Sequence, residues 1–106
     1  MTVVSVLRLP VRHGRVEDLA RAFEELDVFG QAKRSGGFLG ARFLRPLVED
    51  GPVLVIAEWE TPESYQGWLD NPARNVLNAQ LALLLPDEVA AGELYEEVSM
   101  RLQEDS

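Results

Sequence analysis

Residues able to bind or transform a small molecule cluster in the second half of the sequence. Trp59 lies near the end of a predicted strand, Tyr65 and Trp68 follow it closely, and Asn78 lies further along, in the next predicted helix. Ser5 adds a hydroxyl group to an apolar run near the N-terminus. A pocket with these side chains would be mostly apolar with a few polar groups, as small-molecule sites usually are. Tryptophan and tyrosine are equally ordinary in the core of a small domain, so the pattern alone leaves packing and ligand binding both open.

Several other kinds of chemistry are excluded by composition. The chain has no cysteine and one histidine, His13. Disulfides, thiolate metal sites and cysteine nucleophiles are therefore absent, and a single chain cannot build a multi-histidine metal site. His13 falls in a predicted turn, where an exposed residue without a catalytic role is expected.

Charge and hydropathy narrow the class of protein further. The 106 residues include 18 acidic and 10 basic side chains, for a net charge of −8, which argues against a nucleic-acid partner. The longest apolar runs, Val53–Ala57 and Leu81–Leu85, are far shorter than the roughly 20 residues of a membrane helix. The N-terminus does not resemble a signal peptide. We expect one acidic, soluble, cytoplasmic domain over residues 1–106.

The elements that position the candidate residues follow from hydrophobic periodicity and turn residues. Strands are predicted at Thr2–Pro10, Phe38–Arg45, Val53–Glu60 and Glu93–Leu102. Helices are predicted at Val16–Ala32, from the Thr61-Pro62 start to about Asp70-Asn71, and at Ala73–Leu85. This β-α-β-β-α-β order, with the second helix in two pieces, is the ferredoxin-like α+β pattern, a four-stranded antiparallel sheet with helices on one face.

The opposite face of this sheet also needs a cover. The first and third predicted strands are apolar on both faces, and such strands are normally buried on both sides. The economical solution is a second copy of the chain packed sheet to sheet. The sequence therefore predicts a homodimer.

The segment VLVIAEWETPESYQGWL at Val53–Leu69, followed by NPARN and the closing ELYEEV, resembles the antibiotic biosynthesis monooxygenase family. The opening VLRLPVRHGRVEDLARAF is similar to the first strand and helix of that family, and GGFLGARFLRP to its second strand. The resemblance covers nearly the whole chain. It implies the dimeric α+β barrel architecture.

One branch of the family consists of cofactor-independent, quinone-forming monooxygenases. The resemblance implies that Trp59 and Tyr65 occupy the positions of that branch's tryptophan and tyrosine. Val55 stands where the branch has an asparagine, and Asn78 stands where it has an arginine, with a one-residue gap. Two of the four functional positions are therefore kept.

A second branch degrades haem. Trp68 matches its tryptophan, but Leu7 stands at its asparagine position and Asn78 at its histidine position. An asparagine amide does not replace imidazole as a ligand of haem iron, so the resemblance argues against haem degradation.

The resemblance implies an oxygenase that needs neither cofactor nor metal and acts with O₂ on a phenol, hydroquinone or anthrone. Tyr65 and Asn78 are the predicted catalytic residues. The predicted substrate-binding residues are Trp59, Trp68, Ser5, Leu7 and Val55. A module that binds a small hydrophobic ligand without transforming it is the main alternative, and another reaction such as isomerisation also stays open because fold does not fix function.

Overall fold

The structure is a computed structural model that describes residues 2–11, 14–49, 51–85 and 92–98. The strands are β1 (Val3–Leu9), β2 (Phe38–Leu44), β3 (Val53–Trp59) and β4 (Glu93–Glu96). The helices are α1 (Val16–Glu25), α2 (Val28–Ser35), α3 (Pro62–Leu69) and α4 (Pro72–Leu81), and a 3₁₀ turn follows at Ala82–Leu84.

The four strands form one antiparallel sheet in the order β2-β3-β1-β4. The central β1–β3 pair aligns Val3 with Trp59 and Leu9 with Val53. The register of β2 against β3 shifts between Phe38 and Gly40, and the glycine within the strand is typical of such an irregularity. The ferredoxin-like α+β fold is therefore as predicted.

The helices cover one face of this sheet. Alternate residues of β3, from Val53 to Trp59, are buried against them. One buried cluster surrounds Leu19 and Phe23 of α1, and a second surrounds Trp59 and Trp68. The site described below lies between these helices and the sheet.

The predicted single helix Val16–Ala32 is wrong, because the chain forms α1 and α2 with a break at Asp27. Asp27 has φ 52° and ψ 48°, a left-handed conformation. On an unbroken helix, the positions four and seven residues after Phe23 would be Asp27 and Gly30, a charge and an absent side chain on the core-facing stripe. The break instead directs Phe29 and Ala32 toward the sheet side, where both line a cavity.

The starts of α3 and α4 confirm the local signals in the sequence. The Thr61 hydroxyl accepts a hydrogen bond from the Ser64 amide at 3.1 Å, and Pro62 is the first residue of α3. Asn71 accepts from the Ala73 amide at 2.9 Å before Pro72 begins α4.

Two predicted boundaries at the end of the chain differ from the structure. The α-helix expected to reach Leu85 ends at Leu81 and tightens into the 3₁₀ turn. The last strand ends at Glu96, Val98 is exposed beyond it, and the remainder of the prediction, residues 99–102, lies outside the described residues. His13 lies outside them as well. Of the helices in the described part of the chain, none is long and apolar enough to cross a membrane.

Candidate functional site

A cavity of about 80 Å³ lies between the sheet and the helices. Six of the seven residues predicted for the site contribute to its lining: Ser5, Leu7, Val55, Trp59, Tyr65 and Trp68. Their side chains come from β1, β3 and α3, which are distant in sequence and meet only in the folded chain. The structure therefore brings most of the predicted site together around one space.

The floor of the cavity carries a buried hydrogen bond between neighbouring strands. The Trp59 indole N–H donates to the Ser5 hydroxyl oxygen at 3.0 Å. Trp59 is 1% exposed and Ser5 is 6% exposed, so water does not compete for this contact. Because Ser5 accepts from the indole, its own O–H is left as a hydrogen-bond donor on the cavity floor.

The Tyr65 side chain extends from α3 and lies next to Trp59 in the cavity lining. Its ring packs edge-on against Trp59 with the centroids 5.6 Å apart. A Cβ atom built on Gly92 would lie 2.6 Å from the Tyr65 hydroxyl oxygen, so the phenol fits only because residue 92 has no side chain.

The electrostatic surroundings keep the Tyr65 phenol neutral. Burial raises the pKa of the phenol above its usual value of 10.0, and the positive charge of Arg74 acts in the opposite direction. The group is therefore protonated at neutral pH. In this form its hydroxyl group is able to donate a hydrogen bond.

Arg74 is the functional candidate that sequence reasoning missed. It is half-buried on α4 and lines the cavity. Within the described residues, no carboxylate pairs with its guanidinium group. The available signal was its spacing, because Arg74 precedes the buried Leu77 and Leu81 by three and seven residues and so shares their helix face.

Asn78 does not take part in this arrangement. Its side chain is exposed on α4, and it is absent from the cavity lining. Its position four residues after Arg74 places it on nearly the same side of α4, so helical periodicity alone does not separate the two residues. Within this helix, the polar group that reaches the cavity is the Arg74 guanidinium.

The side of the cavity formed by α1 and α2 is apolar and aromatic. We call Phe23 and Phe29 the aromatic wall, since both rings line the cavity and their centroids are 5.7 Å apart. Tyr65 and Arg74, on α3 and α4, form the polar wall. A small aromatic ligand could thus have apolar rings on one side and hydrogen-bond donors with a positive charge on the other.

A family model of antibiotic biosynthesis monooxygenases matches residues 2–79. The chain belongs to the antibiotic biosynthesis monooxygenase family. A "heme oxygenase (mycobilin-producing)" of Mycobacterium tuberculosis is 32% identical over 73 residues, which span 69% of this chain and 68% of that protein.

Solved structures share the fold of this antibiotic biosynthesis monooxygenase family member. The cofactor-independent oxygenase SnoaB from Streptomyces nogalater gives a TM-score of 0.71 at 21% identity, over 93% of this chain and 95% of that chain. A heme-free heme-degrading protein of Mycobacterium tuberculosis gives a TM-score of 0.67 at 25% identity, over 95% and 99% of the two chains.

Because one relative is a heme oxygenase, the cavity can be tested for fit to haem. Haem iron in proteins is bound by imidazole, thiolate, thioether or phenolate donors. Among the described residues that line the cavity, Tyr65 is the sole side chain of these kinds, and its raised pKa disfavours the phenolate. These residues do not fit haem.

The described residues contain no group of three or more histidine, aspartate or glutamate side chains placed to hold a metal ion.

Proposed function

We propose that this protein is a monooxygenase that oxidises a small electron-rich aromatic, such as a phenol, hydroquinone or anthrone, with O₂ and without a cofactor. The observation that carries the proposal is Arg74, a cation without a carboxylate partner among the described residues, on the wall of a mostly apolar cavity. A positive charge in such surroundings favours an anion, and a phenolate is the anion that the aromatic lining would accept.

In the proposed reaction, the protein stabilises the ionised substrate. The cavity lining among the described residues includes no carboxylate or imidazole to serve as a base, so the substrate proton passes to water. Arg74 then stabilises the phenolate by its charge, while the Tyr65 and Ser5 hydroxyl groups donate hydrogen bonds to it. Trp59 and Trp68 confine the ring system, and Leu7 and Val55 supply apolar contacts.

An ionised phenol or enol is electron-rich enough to react with O₂ directly. For an anthrone, the methylene carbon between the two rings is oxidised to a carbonyl. One atom of O₂ becomes the carbonyl oxygen, and the other leaves as water with the two methylene hydrogens. The protein supplies orientation and charge stabilisation in this scheme.

Oxygen consumption by the purified protein tests the proposal. We expect O₂ uptake above the buffer rate with at least one member of a panel of anthrones, naphthols and hydroquinones, and a stoichiometric quinone product. Absence of uptake across the panel, with a folded protein, would contradict the proposal.

The alternative is a binding module that holds a small hydrophobic ligand without transforming it. The observation that favours it is the set of apolar residues, Leu7 and Val55, at positions where related enzymes are expected to carry polar groups. Native mass spectrometry of freshly purified protein distinguishes the two functions. A bound molecule that is recovered unchanged in the presence of O₂ supports binding alone.

We also propose that the protein is a homodimer joined through its sheets. The face of the sheet opposite the helices carries half-buried apolar side chains in its centre, with Val6 directly opposite Ile56 and Leu54 two residues away. This pattern differs from the charged exposed face of a typical one-sided antiparallel sheet, and a second identical sheet would complete its burial.

Sedimentation velocity tests the dimer. We expect a dimer for the wild-type protein and a monomer for Ile56→Lys, since a charge at the centre of the interface would be buried without a partner. Val76→Lys is the matched control, because Val76 is 60% exposed on α4 and lies on the helical side. A dimer that survives Ile56→Lys would contradict sheet-to-sheet packing.

A further inference from the structure

The cavity is small for the ligand class proposed above. Its volume of about 80 Å³ holds a few water molecules at roughly 30 Å³ each, whereas ligand pockets usually measure about 300–1,000 Å³. An aromatic ligand of two or three rings can enter only if a wall of the cavity moves.

A larger groove lies on the other side of the aromatic wall. This groove, of about 510 Å³, is lined by Ala20, Phe23, Glu24, Asp27, Phe29 and Phe43. Phe23 and Phe29 therefore contribute to the lining of both spaces. The groove by itself has the volume of a ligand pocket.

The two residues of the wall differ in how firmly they are held. Phe23 is 7% exposed and belongs to the main core cluster, so its displacement would disrupt the domain. Phe29 is only half-buried and packs at the edge of that cluster. Its ring lies between Phe23, at 5.7 Å, and Phe38, at 6.4 Å, and Phe38 contacts Trp59 in turn at 5.3 Å.

We propose that the Phe29 ring is a movable partition between the groove and the cavity, and that it admits the aromatic ligand and limits its size. This inference rests on the proposed function only in taking an aromatic ligand for the cavity. Rotation of one half-buried side chain joins the two spaces, and no helix has to move.

The break between α1 and α2 explains why Phe29 occupies this position. The left-handed backbone at Asp27 redirects the chain two residues before Phe29. The Asp27 carboxylate accepts a hydrogen bond from Arg34 at 3.1 Å. A Cβ atom on Gly30 would meet that carboxylate at 2.3 Å, so glycine leaves room for the arrangement that fixes the break.

Acrylamide quenching of tryptophan fluorescence reports the partition without any enzymatic turnover. The chain has two tryptophans, and both line the cavity. We expect Phe29→Ala to raise the quenching constant about twofold or more, because acrylamide in the groove then reaches a buried indole. Phe43→Ala is the matched control, since it removes the same ring from the groove but not from the cavity lining. Equal quenching in the two variants would overturn the proposal.

Ligand size gives a second test, by calorimetric titration under argon with phenol, 2-naphthol and anthrone. We expect Phe29→Ala to bind anthrone about tenfold more tightly relative to phenol than the wild type does, and Phe29→Trp to shift this ratio in the opposite direction. For Phe29→Leu, which keeps a branched apolar side chain, the ratio of anthrone to phenol affinity should fall between those of the wild type and Phe29→Ala. This variant keeps the test valid if the alanine variant does not fold. An unchanged ratio in all three variants would overturn the proposal.

The outcome is separable from that of the proposed function. Absence of O₂ uptake would contradict the monooxygenase, while the quenching constants and the ratio of affinities would still decide whether Phe29 separates the two spaces. Conversely, O₂ uptake that is insensitive to the size of the side chain at position 29 would leave the monooxygenase standing and overturn the partition.

Discussion

The two helical walls of the cavity differ in chemistry and in how they are built. The polar wall, Tyr65 and Arg74, lies on two short helices that each begin at a side-chain cap followed by proline. The aromatic wall, Phe23 and Phe29, lies on either side of a strained backbone position with no such cap. We infer that the first wall is built to hold groups in place for the reaction and that the second decides what enters.

The largest effect expected from this division is on Arg74. Replacing Arg74 by leucine should lower kcat/KM for O₂ uptake by about 10²–10³-fold, because the substrate phenolate then lacks the positive charge of the guanidinium group that stabilises it in a water-poor cavity. Arg74→Lys should retain part of the rate. Asn78→Ala, one turn further on but exposed, should change it by less than about twofold. If Asn78→Ala lowers kcat/KM as much as Arg74→Leu does, the sequence-based assignment of Asn78 as a catalytic residue is right. The polar wall, which was defined without Asn78, would then be wrong.

The next effect concerns the hydrogen bond between Ser5 and Trp59 on the sheet side of the cavity, and it is an effect on stability. Ser5→Ala removes the acceptor of the buried Trp59 indole N–H and should lower the free energy of unfolding by about 1–3 kcal/mol. Urea denaturation measures this loss. Ser5→Thr keeps the hydroxyl group and should restore most of the stability. A Ser5→Ala variant as stable as the wild type would show that the indole finds another partner.

Tyr65→Phe should lower the rate about tenfold, because one hydrogen-bond donor to the phenolate is lost. Burial raises the pKa of Tyr65 above 10.0, so the donating form persists through neutral pH and disappears only as pH rises through that raised pKa. The pH–rate profiles of wild type and Tyr65→Phe should therefore run parallel below pH 9 and follow the ionisation of the substrate. A profile that loses an ionisation in the variant would make Tyr65 a base.

The smallest effect is expected at the break in the aromatic wall. Asp27→Ala places alanine in the left-handed region and removes the contact with Arg34, and it should cost about 1 kcal/mol of unfolding free energy. Asp27→Asn should cost less, because asparagine tolerates this conformation. Thermal unfolding of the two variants side by side provides the measurement. Equal stability of the alanine and asparagine variants would show that the backbone at Asp27 stores no strain.

The parts of the fold that sequence alone predicts are those governed by local signals. Thr61-Pro62 and Asn71-Pro72 specify helix starts within a few residues, and the alternation along β3 specifies its buried face. The break at Asp27 has no comparable local signature, because a left-handed aspartate is stable only when neighbouring residues gain contacts from it. The one indication of the break in the sequence is that the core-facing positions of the helix after Phe23 hold Asp27 and Gly30 instead of apolar side chains.

The candidate site shows the same limit. Ser5, Trp59 and Tyr65 are recognisable by residue type, and the structure places them in one cavity lining. Arg74 and Asn78 lie four residues apart on α4, on nearly the same side of the helix, so periodicity does not distinguish them and the choice depends on tertiary packing. The cavity and the groove depend on tertiary packing across seven helices and strands, so no pattern within a single segment reports them.

The contact between Tyr65 and Gly92 has a consequence for the order in which the site becomes functional. Gly92 directly precedes β4, which adds to the sheet at the edge of β1, more than eighty residues away in sequence. A ribosome therefore completes the surroundings of the phenol only after every other described element has been made. In refolding of the whole chain, β1 and β4 are the paired strands farthest apart in sequence, so we expect their pairing to be late and the tryptophan signal to recover before O₂ uptake does.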